Sequence, residues 1–92
     1  MPQRPEDVVH YLTLYTRSGC HLCEDMKAVV RHVAHQIPID LEEVDITARP
    51  GLEAKYGLEV PVLLIDGQKA AKIRITETQL LRKLAGRRTS AR

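Results

Sequence analysis

The sequence predicts an α/β domain with its elements in the order β-α-β-α-β-β-α, and three observations carry that prediction. Two short segments, 8–15 and 60–65, are almost wholly apolar and rich in β-branched residues, as strands covered on both faces are. Between them, residues 20–36 place apolar side chains at spacings of three and four, the stripe of an amphipathic helix. Asp66-Gly67 then joins the second apolar strand to the next segment with the strongest short hairpin signal there is.

The first strand, Val8 to Tyr15, is nearly apolar on both faces and reads as a central strand. Thr16, Arg17, Ser18 and Gly19 break its pattern, and Ser18 or Gly19 is the expected cap of the helix that follows, from about Cys20 to Gln36. Cys23, Met26, Val30, Val33 and Ile37 make that helix's apolar stripe, Glu24 and Asp25 suit the positive end of its dipole, and Pro38 stops it. Ile39 to Ile46 is a more polar strand, expected at a sheet edge. A short helix over Pro50 to Tyr56 has Pro at its first turn and Gly57 just past its end. Val60 to Ile65 is a buried strand, and Gln68 to Arg74 is its hairpin partner. Thr76-Glu77-Thr78-Gln79 makes a capping box for a last helix that carries Leu80, Leu81 and Leu84 and is expected to end at Gly86.

With 92 residues and no linker, repeat or low-complexity stretch, the chain reads as one domain over 1–92. Its ordered core is expected at about 8–86, followed by a basic tail at 87–92. Apolar residues make up 43% and charged residues 28%, a globular balance rather than a disordered one. There is no Phe or Trp, so the core must be built from aliphatic side chains and at most three Tyr. A net charge of +2 is too near balance to argue for nucleic acid. The first residues lack the apolar centre of a leader peptide, and no apolar run is long enough to span a bilayer, so a cytoplasmic monomer without a membrane partner is expected.

The chemistry concentrates in Cys20-His21-Leu22-Cys23, which follows a strand and opens a helix. A sulfur at a helix N-terminus meets unsatisfied backbone N–H groups and the positive end of the dipole, and both favour thiolate over thiol. Cys20 is therefore the candidate nucleophile. Cys23, one turn further in on the same side, is the candidate resolving thiol. A cationic His21 would lower the Cys20 thiol pKa further. Pro61 opens a buried strand, where the missing ladder donor needs a reason.

Thr16-Arg17-Ser18-Gly19-Cys20-x-x-Cys23 resembles the active-site segment of glutaredoxins, Val60-Pro61 their cis-proline loop, and Asp66-Gly67 the turn after it. The resemblance extends over about residues 9 to 85 and is strongest to the small glutaredoxin-like proteins. It implies a thioredoxin fold with a four-stranded mixed sheet in the order β2-β1-β3-β4, three flanking helices, and a cis Val60–Pro61 bond packed against the cysteines. It also implies that Cys20 and Cys23 are redox-active, with Val60 and Pro61 beside the substrate and Arg17 available to a substrate carboxylate. The chain departs from the family pattern in three places. His21-Leu22 replaces Pro-Tyr, Glu59 stands where Thr precedes Val-Pro, and Ala70-Ala71-Lys72-Ile73-Arg74 replaces a Gly-Gly pair and its Asp. Cβ atoms at Ala71 and Lys72 obstruct the backbone approach that glycine allows glutathione. No cofactor is expected, and glutathione is disfavoured as a ligand.

The expected function is thiol–disulfide exchange through Cys20 and Cys23 on a protein or small-molecule disulfide. Two other classes compete with it. One is a thioredoxin-fold binding module with an idle cysteine pair. The other is a metal or iron–sulfur module that uses the same thiolates in a dimer. A closed zinc site needs four ligands, and His32, about 18 Å along the helix from Cys20, cannot join the pair. No metal ligand is therefore assigned within one chain.

Overall fold

Residues that extend on both sides of a sheet and are apolar on both sides belong at its centre, and the computed structural model, which describes residues 9–90, places them there. Its elements are β1 (His10–Thr16), α1 (His21–Val33), β2 (Ile39–Asp45), α2 (Pro50–Tyr56), β3 (Val62–Ile65), β4 (Gln68–Lys72) and α3 (Glu77–Ser90). The four strands form one mixed sheet in the order β2-β1-β3-β4. β1 and β2 are parallel, from His10 opposite Ile39 to Thr16 opposite Asp45, with α1 as the crossover. β3 runs antiparallel to β1, pairing Leu12 with Ile65 and Tyr15 with Val62, and β4 returns antiparallel beside β3.

All four residues of β3 are buried, because each face of the sheet is covered. Leu63 and Ile65 join Leu12 and Leu14 in the larger core under α1 and α3, where Met26, Val30, Val33, Leu80 and Leu84 pack. Val62 and Leu64 point the other way, into a smaller core with Ile46 and Tyr56 that Tyr15, Leu52 and Val60 complete. With no Phe or Trp available, aromatic packing falls to Tyr15 and Tyr56, which stack with ring centroids 4.7 Å apart and tie the end of β1 to α2. β2, exposed at four of its seven positions, lies at the edge as its polar sequence indicates.

Several boundaries differ from expectation. Val8 lies outside the described residues, and β1 begins at His10. α1 is capped by Cys20 itself, not by Ser18 or Gly19. Gly19 is held at φ 75° in the turn, and the Ser18 hydroxyl is committed to the Asp45 carboxylate at 2.9 Å. β3 starts at Val62, after a cis Val60–Pro61 peptide. β4 stops at Lys72 because Ile73 turns to φ 70°. Asp66 and Gly67, at φ 50° and 84°, form the expected tight turn. The capping box is reciprocal: the Thr76 hydroxyl accepts from the Gln79 N–H at 3.1 Å, and the Gln79 side-chain oxygen accepts from the Thr76 N–H at 3.0 Å.

α3 does not end at Gly86 but continues to Ser90. Gly86 is not among the glycines with positive φ, so it makes no left-handed cap, and no proline follows to stop the helix. The part of the expected basic tail at 91–92 lies outside the described residues. Among the described residues, no helix is long and apolar enough to cross a membrane.

Candidate active site

The sheet's topology brings two loops to one end of the molecule. β1 ends at Thr16 and hands the chain to residues 17–20, while Val62, the first residue of β3, pairs with Tyr15. The loop through Val60 and Pro61 therefore leaves the sheet beside the loop that leads to the cysteines.

Cys20 occupies the N-cap of α1 with extended backbone angles, φ −86° and ψ 111°. Its sulfur accepts the backbone N–H of Cys23 at 3.1 Å, so the orphan donor of the helix's first turn is satisfied by sulfur where an oxygen usually serves. Cys20 is half-buried, whereas Cys23 is 1% exposed on the core side of α1. The two form a disulfide within the chain, with Cα atoms 5.2 Å apart, a separation natural to one helical turn. Exposed His21 and Glu24 line an open depression with Gly19 and Cys20, of about 250 Å³. The described residues contain no group of three or more His, Cys, Asp or Glu side chains placed to hold a metal ion.

Arg17 finds a carboxylate within its own chain. Its guanidinium bonds both oxygens of Glu53 on α2 at 2.6 Å each and the Gly57 carbonyl at 2.9 Å, and the Glu53 hydrogen bond is the main reason its pKa is raised. The Arg17 carbonyl meanwhile accepts the Cys20 N–H at 3.2 Å. Arg17 thus holds the approach to Cys20 against the end of α2, from which the chain runs on to Pro61. A Cβ on Gly57 would sit 2.5 Å from the Glu53 carbonyl and 3.1 Å from the Arg17 guanidinium. Its φ is an ordinary −53°, so glycine is required here for space and not for conformation. A second anchor lies on the other side of the loop. Asp45 accepts from the Ser18 hydroxyl at 2.9 Å and from the Thr47 N–H at 2.8 Å, and the bonds from Thr47 and then Ser18 hold its carboxyl below the ordinary range.

Val60 packs its side chain into the smaller core, and Pro61 is buried. The Pro61 carbonyl accepts the Ile73 N–H at 2.8 Å. Glu59, just before them, is bound by Lys69 at 2.5 Å and lies 3.7 Å from Lys72, and the Lys69 hydrogen bond lowers its pKa. Two of the residues that depart from the glutaredoxin pattern, Glu59 and Lys72, are therefore partners in one ion-pair group that ties the Pro61 loop to β4. Sequence reasoning did not mark Glu53 or Asp45, and gave Ser18 and Gly57 only helix-end roles. Arg17 and Glu53 are 36 positions apart, and no local pattern links them.

The model of the Glutaredoxin-like domain (DUF836) family matches residues 11–85. The uncharacterized protein Rv0508 of Mycobacterium tuberculosis is 29% identical over 72 residues, which cover 73% of this chain and 74% of that protein. Among solved structures, the X. campestris protein XcR50 is 32% identical with a TM-score of 0.66, covering 82% of this chain and 96% of that one. Protein Ne2328 from Nitrosomonas europaea is 26% identical with a TM-score of 0.73, covering 90% and 95%. Chloroplastic thioredoxin z, at 12% identity, shares the fold with a TM-score of 0.68, covering 85% of this chain and 77% of that one.

Proposed function

The chain belongs to the glutaredoxin-like domain family, and from that premise we propose that it is a thiol–disulfide oxidoreductase acting through Cys20 and Cys23. One observation carries the reading: the two sulfurs are joined at the N-terminus of α1, with the half-buried Cys20 sulfur accepting a backbone N–H and the Cys23 sulfur buried beneath it. In the reduced protein the same N–H and the helix dipole stabilise negative charge on Cys20.

The reaction follows from that asymmetry. The Cys20 thiolate attacks one sulfur of a substrate disulfide. A Cys20–substrate bond forms, the substrate S–S bond breaks, and one substrate thiolate departs and is protonated by water. Cys23, once deprotonated, attacks the Cys20 sulfur, and the second substrate thiolate leaves. Two electrons have passed to the substrate, and the chain ends with its own disulfide. External thiols return it to the dithiol.

The substrate is a protein or peptide disulfide rather than glutathione. Val60 belongs to the loop that leaves the sheet beside the cysteine loop, and among the described residues its backbone N–H and C=O have no partner, which suits pairing with an extended chain. Glu59 precedes Val60 with its carboxylate held by Lys69 and Lys72, and Ala71 and Lys72 carry Cβ atoms where a close backbone approach needs glycine. His21 lies at the rim of the depression around Cys20.

The test is reduction of a peptide disulfide with excess thiol as electron source. The wild type should turn over, Cys20→Ser should not, and calorimetry should give no saturable complex with glutathione. Absence of turnover with two unreactive thiols would leave a binding module as the account.

A further inference from the structure

Between β4 and α3 lies a cleft of about 420 Å³. Its floor includes Ala71 and Ile75, and its walls carry Lys72, Arg74, Arg82 and Lys83, with no carboxylate among the lining residues. A smaller recess next to it shares Lys83 and adds Lys69. Four cations thus line the cleft and a fifth lines the adjoining recess, in a chain whose net charge is only +2. Lys69 and Lys72 are partly neutralised by Glu59, but among the described residues Arg74, Arg82 and Lys83 form no ion pair. Arg74 and Ile75 also line a third recess with Leu22, the residue just before Cys23, and with Asp25, whose carboxylate bounds the cationic surface on that side. The cationic cleft therefore leads to the helix that carries the thiols.

We propose that this cleft docks an acidic segment of a disulfide-bearing protein substrate, alongside the bond that Cys20 attacks. The identity of the partner as a disulfide substrate rests on the oxidoreductase reading above. Crowding like charges around a concave surface is unfavourable in the empty fold and is relieved by an anionic occupant. A cleft of one sign also focuses its field and raises the encounter rate of a complementary chain. A peptide fits better than a nucleic acid. None of the three tyrosines lines the cleft, so it has no platform on which bases could stack. β4 is the edge strand beside the cleft, but an edge with two lysines is poorly suited to strand addition, so recognition falls to side-chain charge.

The experiment compares two disulfide peptides that are identical except for a flanking run of Glu or of Gln, with the full chain and with an Arg82→Glu/Lys83→Glu variant. Both positions are exposed, and circular dichroism checks that the variant folds. At low salt the Glu peptide should be reduced on the order of tenfold faster than the Gln peptide. The variant or high salt should erase that advantage while leaving the Gln rate unchanged. Equal rates for the two peptides, or an advantage that survives the variant, would overturn the proposal. Fluorescence anisotropy of a Glu peptide lacking cysteine separates docking from chemistry. If it binds wild type and not the variant while neither disulfide is reduced, the docking surface stands and the oxidoreductase reading falls. A single-stranded oligonucleotide of equal charge that displaces the peptide at lower concentration would overturn the assignment to an acidic chain.

Discussion

The guanidinium of Arg17 and the carboxylate of Glu53 meet in a two-point pair, each bond 2.6 Å long, that ties the residue three before Cys20 to the middle of α2. Both side chains are about one-third exposed, so the pair matters less as an ion pair in water than as a geometric constraint. Arg17 also bonds the Gly57 carbonyl, and its own carbonyl receives the Cys20 N–H. One residue thus orients the approach to Cys20 against the start of the Pro61 loop.

Glu53→Gln is expected to slow formation of a mixed disulfide at Cys20, on the order of tenfold, with little change in helix content. Arg17→Lys should not rescue the rate, because an ammonium cannot make the two-point contact. Gly57→Ala should cost about 1–3 kcal/mol of stability, since its methyl would meet backbone at 2.5 Å. Stopped-flow rates and urea unfolding check the three. A wild-type rate in Glu53→Gln would show that the clamp plays no part in positioning Cys20.

The two sulfurs should differ in reactivity. In the reduced protein an alkylating agent should label Cys20 first, with an apparent pKa below the ordinary thiol range, while buried Cys23 reacts slowly. Cys23→Ser should leave a mixed disulfide that persists, and Cys20→Ser should form none. Mass spectrometry of labelled peptides across a pH series reads all of this. Faster labelling of Cys23 would remove the assignment of Cys20 as nucleophile.

Acid should loosen the loops around the site. The carboxyls of Asp45 and Glu59 are held below their ordinary values of about 3.8 and 4.5 by the Thr47 and Ser18 bonds and by Lys69. A group whose pKa is depressed by folding adds stability above its unfolded value, and that stability is lost as pH falls through the folded one. The melting temperature should therefore drop as pH is lowered below about 4.5. The drop should be shallower in an Asp45→Asn/Glu59→Gln variant, and a series of thermal melts between neutral and acid pH makes the comparison. An unchanged slope would mean that other carboxyls carry the acid sensitivity.

The start of α3 offers a measure of local against tertiary stabilisation. Thr76→Ala removes one half of a reciprocal cap and should cost about 1 kcal/mol. Leu80→Ala, one turn later and fully buried, should cost about 2–5 kcal/mol. Urea midpoints with unchanged slopes test both values.

Local chemistry explains most of what the sequence made legible. The Asp66-Gly67 turn, the Thr76–Gln79 box, the stripe of α1 and the polar edge character of β2 each depend on residues within a few positions of one another. The cysteine pair belongs to the same class, since the two cysteines are three positions apart and one helical turn joins them. Boundaries were less legible where a single backbone angle decides them, as at Ile73, or where an expected stop was not used, as at Gly86. Ser18, a good capping residue by type, does not cap α1 because Asp45 on the neighbouring strand β2 engages it.

By itself the sequence determined the element order, the two-sided burial of β3 and the position of Cys20 and Cys23 at a helix start, because these follow from periodicity and short-range capping. Only the tertiary structure decided which charges meet. It turned Arg17 from a free cation into the clamp on Glu53, gave Gly57 a steric role in place of a conformational one, paired Glu59 with Lys69 and Lys72, and gathered Arg74, Arg82 and Lys83 around one cleft. The physical reason is range. Hydrophobic periodicity is written into neighbouring residues, whereas a charge acts on whatever the folded chain brings within a few ångströms, as Arg17 does on the Gly57 carbonyl 40 positions away.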